Sequence, residues 1–175
     1  KDLLYRGRSG EALERLEPML PELPAEAFEG TVLIEELGAA YFAASAPARG
    51  AGLLLERSAS LQGQARLDCL EMAGRLQRRL GVPQAAELLE EVRRDSGLAA
   101  QRDRAAWFLL DMAREGGRFL EELDHQQPAA SWQEPDYFTD ILDQEVTELT
   151  ARRAWGELER LLELLPREQP PAVRS

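Results

Sequence analysis

Cys69, His125 and Lys1 are each the sole residue of their type in the chain, and asparagine is absent. Nucleophilic, metal and phosphate chemistry all draw on these residue types. A single cysteine cannot close an internal disulfide, and Cys69 lies on an amphipathic stretch where a small buried hydrophobe is expected rather than a reactive thiol. One cysteine and one histidine do not make a zinc site, and the Cys-x-x-Cys and His-Glu-x-x-His spacings are missing. With lysine confined to the first position, no Walker-type phosphate loop, kinase lysine or Schiff-base lysine is expected. Gly50-Ala51-Gly52 is a fragment of a dinucleotide fingerprint that lacks the third glycine and a preceding strand. The acidic run Asp136, Asp140, Asp143, Glu145 and Glu148 has no accompanying base or ligand set and lacks calcium-loop spacing, so it reads as a solvated helix face. His125 reads as an exposed histidine at a helix end. No catalytic, cofactor or metal residue is expected, and the chain reads as a non-enzyme. Carboxylate-only chemistry around Asp140 and Asp143 is the one enzymatic alternative.

The composition agrees with a soluble globular class. Of 175 residues, 44% are apolar and 30% charged, enough to bury a core as one domain or a short solenoid. A net charge of −11 argues against nucleic acid and against anionic membranes as partners. The longest uncharged run, from Leu37 to Ala48, is 12 residues, against roughly 20 for a membrane span. No basic segment followed by an apolar one opens the chain, so no signal peptide is seen. The expected compartment is the cytoplasm. The chain opens in mid-repeat and reads as a fragment, so the periplasm is the alternative if a signal was trimmed.

The elements that would carry any site are helices. Apolar residues recur at helical period from Ser9 to Leu165, and Gly and Pro fall between the periodic stretches. The spacing predicts helices over 9–23, 26–45, 48–60, 64–80, 83–95, 98–115, 117–125, 136–152 and 154–165. Pro18 should kink the first of them. The stretch from Asp124 to Pro135 reads as a long polar connector, with Trp132 and Tyr137 as its anchors on the helices. The tail 167–175 reads as an unstructured exit or a linker.

Small and apolar residues at Gly7, Ala12, Leu16, Leu20 and Pro24 have the spacing of the second helix of a tetratricopeptide repeat. The next stretch supplies a first helix as Ile34-x-x-Leu37-Gly38-x-x-Tyr41. A third unit follows with Leu70, Ala73, Gly74, Gly81, Ala85, Leu89 and Val92. Ala106, Leu109, Leu110 and Ala113 open a fourth, and Leu142, Val146, Leu149, Trp155, Leu158 and Leu162 form the last. Ala12, Ala51 and Ala85 are 39 and 34 residues apart, and Leu158 follows after 73, about two units. The chain thus resembles the tetratricopeptide-repeat superfamily.

That resemblance implies an all-α, right-handed α-solenoid of antiparallel helix pairs, about four to four and a half units. They cover 1–166 as units near 1–24, 26–60, 64–95, 98–125 and 136–166. It also implies a non-catalytic scaffold that binds a partner protein or peptide in its concave groove. Carried over from the family, the groove positions are Glu35, Ala39 and Phe42; Asp68, Glu71, Arg75, Arg78 and Arg79; Arg104, Trp107, Asp111 and Arg114; and Asp140, Asp143 and Thr147. Arginines around a tryptophan fit a binding hot spot, while Trp107 in the core is the plainer alternative. The family's capture of a C-terminal carboxylate by lysines and asparagines is not expected here, because the groove has neither. Two further alternatives are a sensor or regulatory repeat domain of a larger bacterial regulator, and one segment of a long secretion or envelope-assembly scaffold.

Overall fold

A computed structural model describes residues 8–127, 132 and 138–165. The protein is all-α, with nine α-helices and no strand among the described residues. They are α1 (Ser9–Leu16), α2 (Thr31–Ala43), α3 (Pro47–Ser58), α4 (Gly63–Arg78), α5 (Gln84–Asp95), α6 (Ala99–Glu115), α7 (Phe119–Gln126), α8 (Thr139–Ala151) and α9 (Trp155–Leu164). None of them is long and apolar enough to cross a membrane.

Proline and glycine set the first boundaries. The stretch expected as one helix over 9–23 is α-helical only to Leu16 and continues as a 3₁₀ segment, Glu17–Glu22, with Pro18 near its start and Pro21 inside it. Neither proline can donate the backbone bond that an α-helix needs. The stretch 26–45 is likewise divided. A 3₁₀ turn, Ala25–Phe28, precedes α2, and Gly30 between them takes φ +83°, a conformation that strains any residue with a side chain. The anticipated tail at 167–175 lies outside the described residues.

Four helices end in the same way. The C-terminus of α2 closes with Ala46 N–H donating to Tyr41 O (2.9 Å) and Ser45 N–H donating to Phe42 O (3.1 Å). The same pair of bonds closes α4 (Val82 to Gln77, Gly81 to Arg78), α6 (Arg118 to Ala113, Gly117 to Arg114) and α8 (Ala154 to Leu149, Arg153 to Thr150). Each is a Schellman cap, with the residue after the cap in the left-handed region. Those residues are Ser45, Gly81, Gly117 and Arg153, at φ +54°, +66°, +68° and +56° and at a constant interval of 36 residues. The small-residue markers Ala12, Ala51 and Ala85, on α1, α3 and α5, are 39 and 34 residues apart. The four caps, by contrast, recur at an even 36 residues. Two of the four sites use a residue with a side chain where glycine fits better. Ser45→Gly and Arg153→Gly are each expected to stabilise the protein by about 0.5–1 kcal/mol, read from denaturant midpoints. A loss of stability would show that these side chains make a contact that outweighs the strain.

The chain divides into two compact units, 1–105 and 106–175. In the first unit α3 packs on α2 and α4, α4 also packs on α2 and α5, and α1 packs on α2. Tyr41, Phe28, Leu37, Leu54, Leu76 and Leu89 fill its interior. Burial of such side chains, at about 25 cal/mol per Å² of apolar area, is the main stabilising contribution. Glycines and alanines stand at the helix crossings: a Cβ on Gly74 would meet Leu89 of α5 at 3.0 Å. In the second unit Leu110, Phe119, Leu123, Trp132, Phe138, Ile141, Leu149 and Leu161 form the core. Trp132 stacks on Phe138 with ring centroids 3.6 Å apart and planes at 4°. Its indole N–H donates to Gln126 Oε1 (3.3 Å), whose amide in turn donates to Ala106 O (3.0 Å). Trp132 thus anchors the connector, while Tyr137, its expected companion, lies outside the described residues.

Candidate functional site

In the first unit the residues expected to line a groove are knitted into a polar network on α2, α4 and α6. Gln101, 2% exposed, stands at its centre. Its amide donates to Asp68 Oδ1 (2.8 Å) and Glu71 Oε2 (2.9 Å). Its carbonyl oxygen accepts from Gln64 (2.7 Å) and from the Ser96 hydroxyl (2.6 Å). Asp68 also accepts from Gly30 N–H (3.1 Å) and Gln64 Nε2 (2.6 Å). Arg104 forks onto both oxygens of Glu71, and Arg75 pairs with Glu35. Glu35, Glu71, Arg75 and Arg104 therefore do come together, around a small cleft floored by Ile34 and Met72. Yet Asp68 and Glu71 are buried. Both spend their oxygens on donors within the fold, which is what a buried carboxylate requires.

Of the expected groove residues in this unit, those on α2 form an open stripe. Val32, Glu35, Ala39 and Phe42 lie at helical spacings that share one face. Val32 is 64% and Phe42 36% exposed. The Arg79 guanidinium sits 5.6 Å from the Phe42 ring centroid, a cation–π distance. Arg78 is half-buried beside it in sequence. Cys69 is fully buried, and burial with the adjacent Asp68 pushes its thiol up to about 12. It is therefore no nucleophile at neutral pH.

In the second unit Trp107 is half-buried, packed against the core and edge-on to Phe108 at 5.0 Å. The plainer core alternative describes it well. Asp111 is buried, and Arg114 lies 3.9 Å from it and 4.0 Å from Glu148. Of the acidic run, Asp140, Asp143 and Glu148 are exposed as a solvated face should be, and Asp136 lies outside the described residues. Glu145 departs from that expectation. It is 6% exposed and lines a cavity of about 260 Å³ bounded by the end of α6 and by α7, α8 and α9. Burial, and then the Glu148 carboxylate, raise its pKa, while Arg152 and Arg114 pull it down less. Among the described residues no cluster of His, Cys, Asp and Glu is placed to hold a metal ion.

Comparison of the chain with protein-family models, with curated proteins and with solved structures finds no match.

Proposed function

We propose that this protein is a non-catalytic scaffold: a right-handed α-solenoid of tetratricopeptide-like helix pairs that holds a partner protein or peptide. The observation that carries the reading is the fixed 36-residue recurrence of the left-handed cap, which ends the first helix of four successive units. Identical helix endings at a constant period suit units that stack on one another, and stacked units present a long preorganised surface. The chemistry available also favours binding over catalysis, since the only thiol is buried and its pKa is raised. Within the first unit the partner's seat is the α2 stripe. Valine and phenylalanine there offer apolar area, and Arg79 beside Phe42 adds the aromatic–arginine pairing common at hot spots. The Glu35–Arg75 pair borders the same face.

A pull-down from lysate of the organism that encodes the chain tests this, comparing the wild type with Val32→Asp/Phe42→Ala. Both substitutions fall on exposed side chains, and circular dichroism checks that helix content is unchanged. A partner retained by the wild type and lost by the variant is the expected result. Identical proteins on both baits would remove α2 as the binding face.

A further inference from the structure

The 36-residue register aligns Glu145 with Leu37, Ala73 and Leu109 on the first helices of the preceding units. All four positions are buried, but only the last carries a charge. A carboxylate in a position that elsewhere holds apolar side chains needs a counter-charge or several donors, or it destabilises the fold. Glu145 has no such contact: Arg114 and Arg152 act on it only from a distance, and no hydrogen bond or ion pair joins it to any described residue.

Its surroundings do not supply the missing group. Arg114 is shared between Asp111 and Glu148 at 3.9 and 4.0 Å. Arg152 lies 3.9 Å from Glu148 and 3.8 Å from Glu157, and Arg160 is 3.2 Å from Asp124. These guanidiniums are already accompanied by carboxylates, of which Asp111 is buried and Glu148, Glu157 and Asp124 are exposed. Arg118 lines the rim and is exposed, so water solvates it at little cost. Arg114 keeps one buried N–H, at Nε, without an acceptor, but its guanidinium has two carboxylates within 4.0 Å. Glu145, by contrast, is the buried carboxylate of the lining with no ion pair at all, and the chain as a whole carries −11.

We propose that the cavity of the second unit seats a guanidinium or ammonium group, an arginine or lysine side chain of the partner, with Glu145 as its counter-ion. The backbone at Gly117 and the rings and chains of Phe119 and Leu120 give the aliphatic stem an apolar wall, and Glu148 at the rim draws the cation in. A partner side chain entering here restores the pairing that the fold withholds from Glu145. The partner's being a protein rests on the scaffold reading above; the cation site does not.

The test is an NMR titration of the full, isotope-labelled chain with Nα-acetyl-arginine methylamide, its lysine counterpart and the uncharged isostere Nα-acetyl-citrulline methylamide. The two cations are expected to give saturable shifts at the Gly117 amide and the Glu145 carboxyl carbon, and the citrulline amide none. Glu145→Gln, which keeps the side-chain shape, is expected to weaken cation binding at least tenfold, whereas Arg118→Ala leaves it unchanged or tighter. Should the Gln variant fold poorly, the Glu145 carboxyl shift in the wild type decides alone. Equal shifts from the citrulline amide, unaltered affinity in Glu145→Gln, or the absence of any saturable shift overturns the site. Putrescine binding more tightly than either amide would overturn the assignment to a partner side chain and leave a free diamine as the occupant. Loss of the α2 face in the pull-down with cation binding intact removes the stripe and not this cavity.

Discussion

Gln101→Leu is expected to destabilise the first unit by about 3 kcal/mol, the sum of several buried polar groups losing their partners at about 1–3 kcal/mol each. The substitution keeps the volume and removes the amide alone. Asp68 and Glu71, one turn apart on α4, both lose the donor that bridges them, and Gln64 and Ser96 lose the acceptor they share. Some losses are softened, because Asp68 keeps Gln64 and Gly30, and Glu71 keeps the Arg104 fork. What is left is two neighbouring, largely buried carboxylates without the donor that bridged them. All three tryptophans lie in the second unit, so far-UV circular dichroism should follow both units while tryptophan fluorescence follows the second. The expected result is a fall of roughly 10 °C in the dichroism midpoint. A midpoint within about 2 °C of the wild type would mean that the leucine repacks and water satisfies the carboxylates, which would demote the network to decoration.

The helices themselves were legible because Gly and Pro mark their ends. Gly81-Val82-Pro83 and Gly116-Gly117 both fall between observed helices, and Pro18 turns α-helix into 3₁₀ helix where it was expected to interfere. The caps were only half legible. Gly81 and Gly117 announce a left-handed residue, but Ser45 and Arg153 do the same work without a sequence signal, and so the 36-residue period stayed hidden. The polar network was not legible for a different reason. A helical period places Asp68 and Glu71 on one face of α4, but only the packing of α6 brings Gln101 and Arg104 over them and seals them from water. Glu145 was absorbed into an acidic run in which every other described carboxylate is exposed or half-exposed. Alignment on the capped period, where it falls in line with Leu37, Ala73 and Leu109, is the signal that separates it.

Glycine at 50 and glycine at 52 are two residues apart on the same helix, yet alanine is expected to act in opposite directions at the two. At Gly52 a Cβ meets nothing within 4 Å. Gly52→Ala should therefore stabilise α3 by the propensity difference alone, about 0.8–1 kcal/mol. At Gly50 the same Cβ would lie 2.5 Å from Cγ and Cδ2 of the Tyr41 ring and 3.0 Å from Cδ1 of Leu76. Neither neighbour can yield cheaply: both are fully buried, and the Tyr41 hydroxyl donates to Glu17 at 3.0 Å. Moving the ring to relieve the clash would break that bond and open the α2–α3 crossing, so overpacking of about 1–3 kcal/mol outweighs the helix propensity. Gly50→Ala should lose about 1–2 kcal/mol net and Gly50→Leu about 3 kcal/mol or more, measured as denaturant midpoints at unchanged slope. If Gly50→Ala instead stabilises the chain as Gly52→Ala does, then α2 and α3 do not approach backbone to ring at this point. The close crossing on which the tetratricopeptide-like reading of this pair depends would then have to be given up.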